Sequence, residues 1–164
     1  MVIYCDDSAL RLVKPDVAPY MASRESGNME KTQTTLDSTL ESVDKAEVIA
    51  MNEARKVGFD EDDQHQIGMA VRECVVNAVV HGNRYSKHKK VHLDTERSKD
   101  RLTFTIGDEG QGFDLSSLPD PLAPENLLNQ SGRGIMLIRA FMDDFDLHPR
   151  PGGGTEVRLT KNLA

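Results

Sequence analysis

The sequence has few cysteines, no long apolar run and no secretion signal. Its two cysteines, Cys5 and Cys74, are too few for a disulfide framework. No apolar run approaches the ~20 residues that a membrane-spanning helix needs. The first residues lack the charged start and apolar stretch of a signal peptide. We therefore expect a soluble cytoplasmic protein.

The chain also lacks any concentration of positive charge. It carries 20 lysines and arginines against 27 aspartates and glutamates, giving a net charge of −7. Its basic residues are scattered along the sequence, whereas surfaces for nucleic acids or anionic membranes need them clustered. The composition therefore predicts neither a nucleic-acid partner nor a membrane partner.

The length and the distribution of patterned segments predict one folded domain. At 164 residues the chain can bury a substantial core. Residues 1–30 show little periodicity and contain Pro15, Pro19 and a polar S-R-E-S-G-N run. We predict that residues 1–30 form a poorly ordered N-terminal extension and that residues 31–164 form the domain.

One helix, between Gly68 and Asn83, carries polar residues inside an apolar pattern. Its apolar residues recur at helical spacing on most sides, which predicts a buried helix. Glu73, Asn77 and His81 follow one another at four-residue steps and predict one polar stripe. Burying these groups costs several kcal/mol unless each finds a partner. The stripe is therefore either an internal hydrogen-bonded network or one wall of a site.

The remaining segments predict an α+β fold. Ser38 or Thr39 is an N-cap candidate for a helix that runs to Val57, with Gly58 as its stop, and an acidic D-E-D-D run opens the next helix. Alternating residues then predict antiparallel strands in the second half of the chain. We expect a two-layer α/β sandwich with helices on one face of a mixed, mainly antiparallel sheet.

Three glycine clusters lie in the second half of the sequence, at 110–112, 132–134 and 152–154. Each one alone is typical of a turn. Gly132 and Gly134 directly precede an apolar helix, whose N-terminus attracts phosphate. Asp108 ends a buried strand, where its carboxylate can accept from an exocyclic amine. Neither a Walker A loop nor a Rossmann fingerprint is present.

The order of these motifs resembles the GHKL ATPase/kinase superfamily. The resemblance is carried by E-x-x-x-N-A-x-x-H-G-N at 73–83, D-x-G-x-G-F at 108–113, S-G-R-G-I-x-L-I at 131–138 and G-T at 154–155. The forms of the first and third motifs are most similar to the bacterial anti-sigma factor serine/threonine kinase branch. The resemblance implies the Bergerat-type ATP-binding fold, with ATP and Mg²⁺ as ligands.

The resemblance also implies roles for single residues. Glu73 would be the general base, and Asn77 would bind ATP through Mg²⁺. Asp108 would bind the adenine amino group, and Thr155 would support it. Residues 114–131 would form a lid over ATP, and His81 is expected to be structural. The remaining ATP-binding residues would be glycines that line the base pocket and residues whose backbone amides meet the phosphates: Gly110, Gly112, Gly132, Arg133 and Gly134.

Three functions remain open at this point. The first is a kinase that phosphorylates a STAS-type anti-anti-sigma protein on serine and binds a sigma factor, as the resemblance implies. The second is a nucleotide-binding anti-sigma module with little kinase activity. The third, the catalytic part of a sensor histidine kinase, is the weakest, because His65 lacks the context of an acceptor site. Glu73 and Asn77 favour the kinase, since a pure binder needs no base. Family members often form homodimers, although the sequence assigns no apolar stripe to such an interface.

Overall fold

The computed structural model describes residues 29–112 and 130–164, with the side chains of residues 130–133 excepted. The predicted extension, apart from its last two residues, and most of the predicted lid lie outside these ranges. The elements, in chain order, are β1 (Glu30–Asp37), α1 (Leu40–Val57), α2 (Glu61–Asn77), a π-helical segment (Ala78–Gly82), β2 (Lys90–Arg97), β3 (Arg101–Gly107), α3 (Gln130–Phe141), β4 (Asp144–Pro149) and β5 (Thr155–Asn162).

The five strands form one sheet in the order β1-β2-β3-β5-β4. Each neighbouring pair among the described strands is antiparallel, so the sheet contains none of the parallel pairing that a mixed sheet would have. The α+β prediction is confirmed. Strand β3 is the central strand of the sheet. Asp108 directly follows β3, so it lies at the end of this central strand.

Alternating side chains give the sheet one buried face. In β3, for example, Leu102, Phe104 and Ile106 are buried in the same apolar cluster as residues of α1 and α2. Side chains of successive strand residues point to opposite faces, so this alternation places the helices against one side of the sheet. The two-layer arrangement follows from this pattern.

Helices α1 and α2 pack closely because α1 presents small side chains. Ala46, Ala50 and Ala54 recur along one face of α1 and are fully buried. The predicted boundaries of α1 are confirmed. The Thr39 hydroxyl accepts a hydrogen bond from the Ser42 amide as the N-cap, and Gly58 ends the helix at φ +103°, in the left-handed region that favours glycine.

The second helix changes its winding before it ends. From Ala78 to Gly82 the backbone is π-helical, and the amide of Asn83 donates to the carbonyl of Ala78, five residues earlier. The prediction of a regular helix to Gly82 therefore misses this segment. His81 lies within this π-helical segment and is more exposed than Asn77, which lies at the end of α2.

Helix α3 begins at Gln130, two residues before the predicted start at Gly132. Glycine at the start of an apolar run resembles a helix boundary, but here Gly132 and Gly134, the second glycine cluster, both lie within the helix. Gly134 lies beyond the first turn, whose amides lack intrahelical acceptors. Within the described residues, no helix is long and apolar enough to cross a membrane.

Candidate functional site

A cleft of about 240 Å³ opens between the end of α2, the residues after β3, and α3. Four of the predicted ATP-binding residues line it, and His81 does so too: Asn77, Asp108, Gly112 and Thr155 are the four. Ile135 and Ile138 of α3 form part of its apolar wall, with Phe145 of β4. Ile135 and Ile138 belong to the third motif, so the structure brings residues of all four motifs to one cavity.

Backbone donors fix the Asp108 carboxylate at one end of this cleft. Its Oδ1 accepts hydrogen bonds from the amides of Gly110 at 2.8 Å and Thr155 at 3.2 Å. The amide of Asp108 in turn donates to the carbonyl of Thr155 at 2.9 Å. No described donor binds Oδ2. One oxygen therefore holds the carboxylate in place while the other remains available to a ligand.

Glycines surround Asp108 because no side chain would fit there. A Cβ on Gly82 would lie 2.9 Å from the Asp108 Cβ and closer still to the carboxylate. A Cβ on Gly154 would lie 2.8 Å from the Asp108 carbonyl carbon, and Gly154 also has φ +97°. Cβ atoms essentially never approach other atoms this closely. The glycines of the first and fourth motifs thus let three chain segments converge on one carboxylate.

The electrostatics of Asp108 suit the binding of a hydrogen-bond donor. The carboxylate is 6% exposed, and burial raises its pKa above the usual value. The two backbone donors and the charges of Arg150 and Lys89 lower the pKa and offset part of that effect. A buried carboxylate gains most from a ligand that donates to its unused oxygen.

Asn77 lies in the same cleft with an unused carboxamide. The residue is 9% exposed, and its side chain has no hydrogen-bond partner among the described residues. The described part of the chain also contains no group of three or more carboxylate, histidine or cysteine side chains that could hold a metal on its own. A lone amide oxygen fits Mg²⁺, which keeps several waters and takes further ligands from substrate phosphates.

Glu73 lies one helical turn before Asn77, beside the cleft rather than in its lining. A Cβ on Gly134 would lie 2.6 Å from Cδ and 2.7 Å from Cγ of Glu73, so the glutamate packs directly against the backbone of α3. Helices α2 and α3 therefore meet at the first and third motifs.

Burial raises the pKa of the Glu73 carboxyl, and the charge of Arg72 lowers it. Arg72 itself binds Asp44 at 2.6 Å and Glu47 at 2.7 Å on α1. Glu73 is consequently left with no ion-pair partner among the described residues. A partly desolvated, unpaired carboxylate is a stronger proton acceptor than a solvated one.

The other predicted residues lie after β3, in α3 and in the π-helical segment. Gly110 contributes its amide to Asp108, as described above. Gly132 and Arg133 lie in the first turn of α3. His81 lines the cleft, and partial burial lowers its pKa, so its imidazole is neutral at pH 7.

Sequence reasoning missed the role of Asn83. This residue is 1% exposed, and its Nδ2 donates to the Ser38 hydroxyl and the Lys90 carbonyl, each at 2.9 Å. Its Oδ1 accepts from the amide of Glu109 at 2.8 Å. Asn83 thus connects the start of α1, the start of β2 and the residue after Asp108. The sequence offered one signal for this role, because Asn83 directly follows Gly82, the glycine at the end of a buried helix.

Two basic residues of the cleft were also missed. Arg84 and Lys89, from the loop between the π-helical segment and β2, both line the cavity. They belong to none of the motifs, and only their positions in the fold bring them to it.

Comparison with known proteins agrees with this arrangement of motifs. A family model described as a histidine kinase-like ATPase domain matches residues 36–161. The anti-sigma F factors of Oceanobacillus iheyensis and Bacillus subtilis are each 36% identical over 107 residues, which is 63% of this chain and 72% of the relative. The anti-sigma F factor of Clostridium beijerinckii is 30% identical over 104 residues, 62% of this chain and 73% of the relative. The chain belongs to the histidine kinase-like ATPase family, in the branch that contains the anti-sigma F factors.

Proposed function

We propose that the protein is an ATP- and Mg²⁺-dependent serine-protein kinase that acts as an anti-sigma factor. Its substrate would be a STAS-type anti-anti-sigma protein, and its second partner a sigma factor. The observation that carries the proposal is the position of Glu73 against α3 and one turn from Asn77, where neither side chain has a partner among the described residues. A protein that only bound nucleotide would need no desolvated carboxylate there.

In this proposal the cleft recognises adenine through Asp108. Oδ2 would accept a hydrogen bond from the exocyclic amine of the base, while the amides of Gly110 and Thr155 hold the carboxylate in position through Oδ1. The amides of the first turn of α3 face the phosphates, as those of a helix N-terminus can.

Asn77 would hold Mg²⁺ through its amide oxygen. When bound, the metal supplies positive charge that offsets the negative charge of the phosphates. The chain would contribute an amide oxygen that is fixed on a buried helix and that no other described residue binds.

Glu73 would accept the proton of the attacking serine hydroxyl. The serine oxygen forms a bond to the γ-phosphorus, the bond between that phosphorus and the β–γ bridging oxygen breaks, and ADP leaves. Because burial raises the pKa of Glu73, the acid limb of the pH profile should lie above the ordinary range of glutamate. Activity should rise as the pH increases through the pKa of Glu73.

The test is transfer of label from γ-labelled ATP to the STAS-domain proteins of the same genome, with Mg²⁺ present. We expect phosphoserine on one of them. Glu73→Gln should lower transfer by about a hundredfold to ten-thousandfold, the range that general-base catalysis contributes, while ATP affinity stays within about threefold. Unchanged transfer would remove Glu73 from this role.

The same preparation distinguishes the kinase from a binding module. Co-purification with each sigma factor, with ADP or ATP present, tests the anti-sigma part of the proposal. Nucleotide-dependent sigma binding without label on any STAS protein would favour the binding module. Light scattering on the same samples tests the homodimer that the resemblance implies, and fractionation of cells tests a cytoplasmic location.

A further inference from the structure

The residue directly after Asp108 is bound to the rest of the fold through both its backbone and its side chain. The backbone amide of Glu109 donates to Asn83 Oδ1 at 2.8 Å. Its carboxylate accepts from the Lys90 amide at 2.7 Å through Oε2, and its Oε1 lies 3.1 Å from Nε2 of His92. Glu109 therefore makes three polar contacts with residues that are far from it in sequence, and two of these residues belong to β2.

The side-chain contacts of Glu109 lie on the face of the sheet that is opposite to the helices. His92 lies between Val91 and Leu93, which are fully buried in the core, so strand alternation places its imidazole on the outer face. Glu109 contacts this imidazole, whereas the preceding Asp108 lines the cleft. Two consecutive residues thus direct one carboxylate to the ligand and the other to the outer face.

The electrostatics of Glu109 favour a firmly held carboxylate. The hydrogen bond from the Lys90 amide and the contact with His92 lower the pKa of the Glu109 carboxyl, and partial burial offsets part of that effect. The carboxylate is therefore ionised at neutral pH, and hydrogen bonds to an ionised acceptor are stronger than those between neutral groups. The side chains of Glu109 and His92 are 33% and 32% exposed, so solvent only partly screens their contact.

The position of Glu109 determines the geometry of the Asp108 carboxylate. Glu109 lies between Asp108 and Gly110, and the Gly110 amide donates to Asp108 Oδ1 at 2.8 Å. Rotation of the peptide on either side of Glu109 would move this amide or the carboxylate that it binds. The backbone here is also closely packed, since a Cβ on Gly110 would lie 2.7 Å from the carbonyl carbon of Gly82.

We propose that Glu109 is a positioning residue for base recognition, and that its contacts on the outer face hold Asp108 where Oδ2 meets the exocyclic amine. The proposal rests on the proposed function, in which Asp108 recognises adenine. It adds a residue that the D-x-G-x-G-F motif leaves unspecified. Glu109 is not part of the described cleft lining, so it acts through Asp108 rather than on the ligand.

The experiment measures the dissociation constants of adenosine, ADP and GDP for the wild type and for Glu109→Ala, Glu109→Gln and Glu96→Ala. Glu96 is the matched control, because it is a similarly exposed carboxylate of β2, paired with Lys31 at 2.8 Å and distant from the cleft. We expect Glu109→Ala to weaken adenosine and ADP alike by about three- to tenfold, the value of about one hydrogen bond. GDP binding by this variant, and all binding by Glu96→Ala, should stay within about twofold.

Two further variants separate position from charge. Removing a negative charge near an anionic ligand would by itself strengthen ADP binding, so a loss in Glu109→Ala reports a displaced Asp108. Glu109→Gln keeps an oxygen for the Lys90 amide and should retain the wild-type ADP affinity within about twofold. In an Asp108→Asn background, Glu109→Ala should change ADP affinity by less than about twofold, because the carboxylate that it positions is already gone. Thermal melting verifies that each variant folds.

The outcomes are distinguishable from those of the proposed function. If the wild type binds ADP and Glu109→Ala binds it equally well, Glu109 does not position the site. If Glu109→Ala weakens GDP as much as ADP, or weakens ADP by the same factor in the Asp108→Asn background, Glu109 acts on the fold and the proposal is wrong. It is also wrong if Glu109→Gln binds as weakly as Glu109→Ala. If the wild type binds no adenine nucleotide, the proposed function fails together with this inference.

Discussion

Gly134 leaves no room for a side chain, because the Cβ atom of any other residue would overlap the Glu73 side chain. Gly134→Ala should therefore force Glu73 to rotate away from α3. We expect phosphotransfer to fall by about tenfold or more, because small displacements of a catalytic group cost up to ~10²-fold. Nucleotide affinity should change by less than about threefold, since Gly134 does not line the described cleft. Steady-state kinetics with parallel binding measurements check this.

A matched control is Gly68→Ala, on the side of α2 that faces α1. A Cβ there would meet the flexible side chain of Met51, with Cγ at 2.8 Å, away from the cleft. Any activity loss common to both variants would indicate a general effect of alanine in these helices. Equal activity of Gly134→Ala and the wild type would show that Glu73 does not need its position against α3.

Asp108 should show opposite effects on stability and on binding. Its pKa is raised in the folded state, so its ionised form opposes folding once the pH exceeds the unfolded value of 3.8. Asp108→Asn removes that charge, and Asn Oδ1 can still accept from Gly110 and Thr155. We expect the nucleotide-free variant to be at least as stable as the wild type at pH 7, with its advantage disappearing below pH 3.8.

The same variant should bind adenine nucleotides more weakly. Its Nδ2 would replace Oδ2 and present a donor to the donor amine of the base. We expect a loss of about tenfold to a hundredfold in ATP affinity. Calorimetric titration and thermal melting across pH check both effects. ATP affinity equal to that of the wild type would show that the base binds elsewhere.

At the scale of elements, Asn83 joins three segments that are far apart in sequence. Asn83→Ala would leave the amide of Glu109 and the carbonyl of Lys90 without their partner. Because each unsatisfied buried group costs about 1–3 kcal/mol, we expect a loss of about 2–4 kcal/mol in the free energy of unfolding. Urea unfolding measures it. The control is Asn52→Ala on the exposed face of α1, which should change stability by less than about 0.5 kcal/mol.

The sequence predicts these elements where their signals are local. The Thr39 cap and the Gly58 stop of α1 act within a turn, and strand alternation in β2 and β3 depends only on neighbours two residues apart. The π-helical segment escaped prediction, because the backbone of an apolar helix shows no preference for bonds five residues apart. Tertiary contacts decide whether the helix winds as an α-helix or a π-helix. Here the contact is the burial of Asn83 at the end of the π-helical segment.

The site was predictable to a similar degree. The order of the four motifs, through a family resemblance, indicated that Asn77, Asp108, Gly112 and Thr155 belong together. It did not indicate that Glu73 packs against α3 or that the loop at Arg84 faces the cleft. Those contacts depend on strand order and helix packing between residues far apart in sequence, and single-residue patterns carry no information about them.

At the scale of the molecule, a ligand that occupies the cleft touches residues from α2 to β5. Binding should therefore stabilise the whole domain rather than one element. With Mg²⁺ and ADP at about a hundred times the dissociation constant, the folded state gains about 2.7 kcal/mol, which for a chain of this length raises Tm by roughly 5–10 °C. Differential scanning calorimetry measures this.

Guanine nucleotides are the matched ligand control for that shift. GDP carries the same phosphates but places a carbonyl oxygen where adenine has its amine, and that oxygen would face the buried carboxylate of Asp108. We expect GDP at the same concentration to raise Tm by less than about 2 °C, because two acceptors facing each other in a desolvated site repel. An equal shift with both nucleotides would mean that the phosphates alone provide binding, and that Asp108 does not select the base.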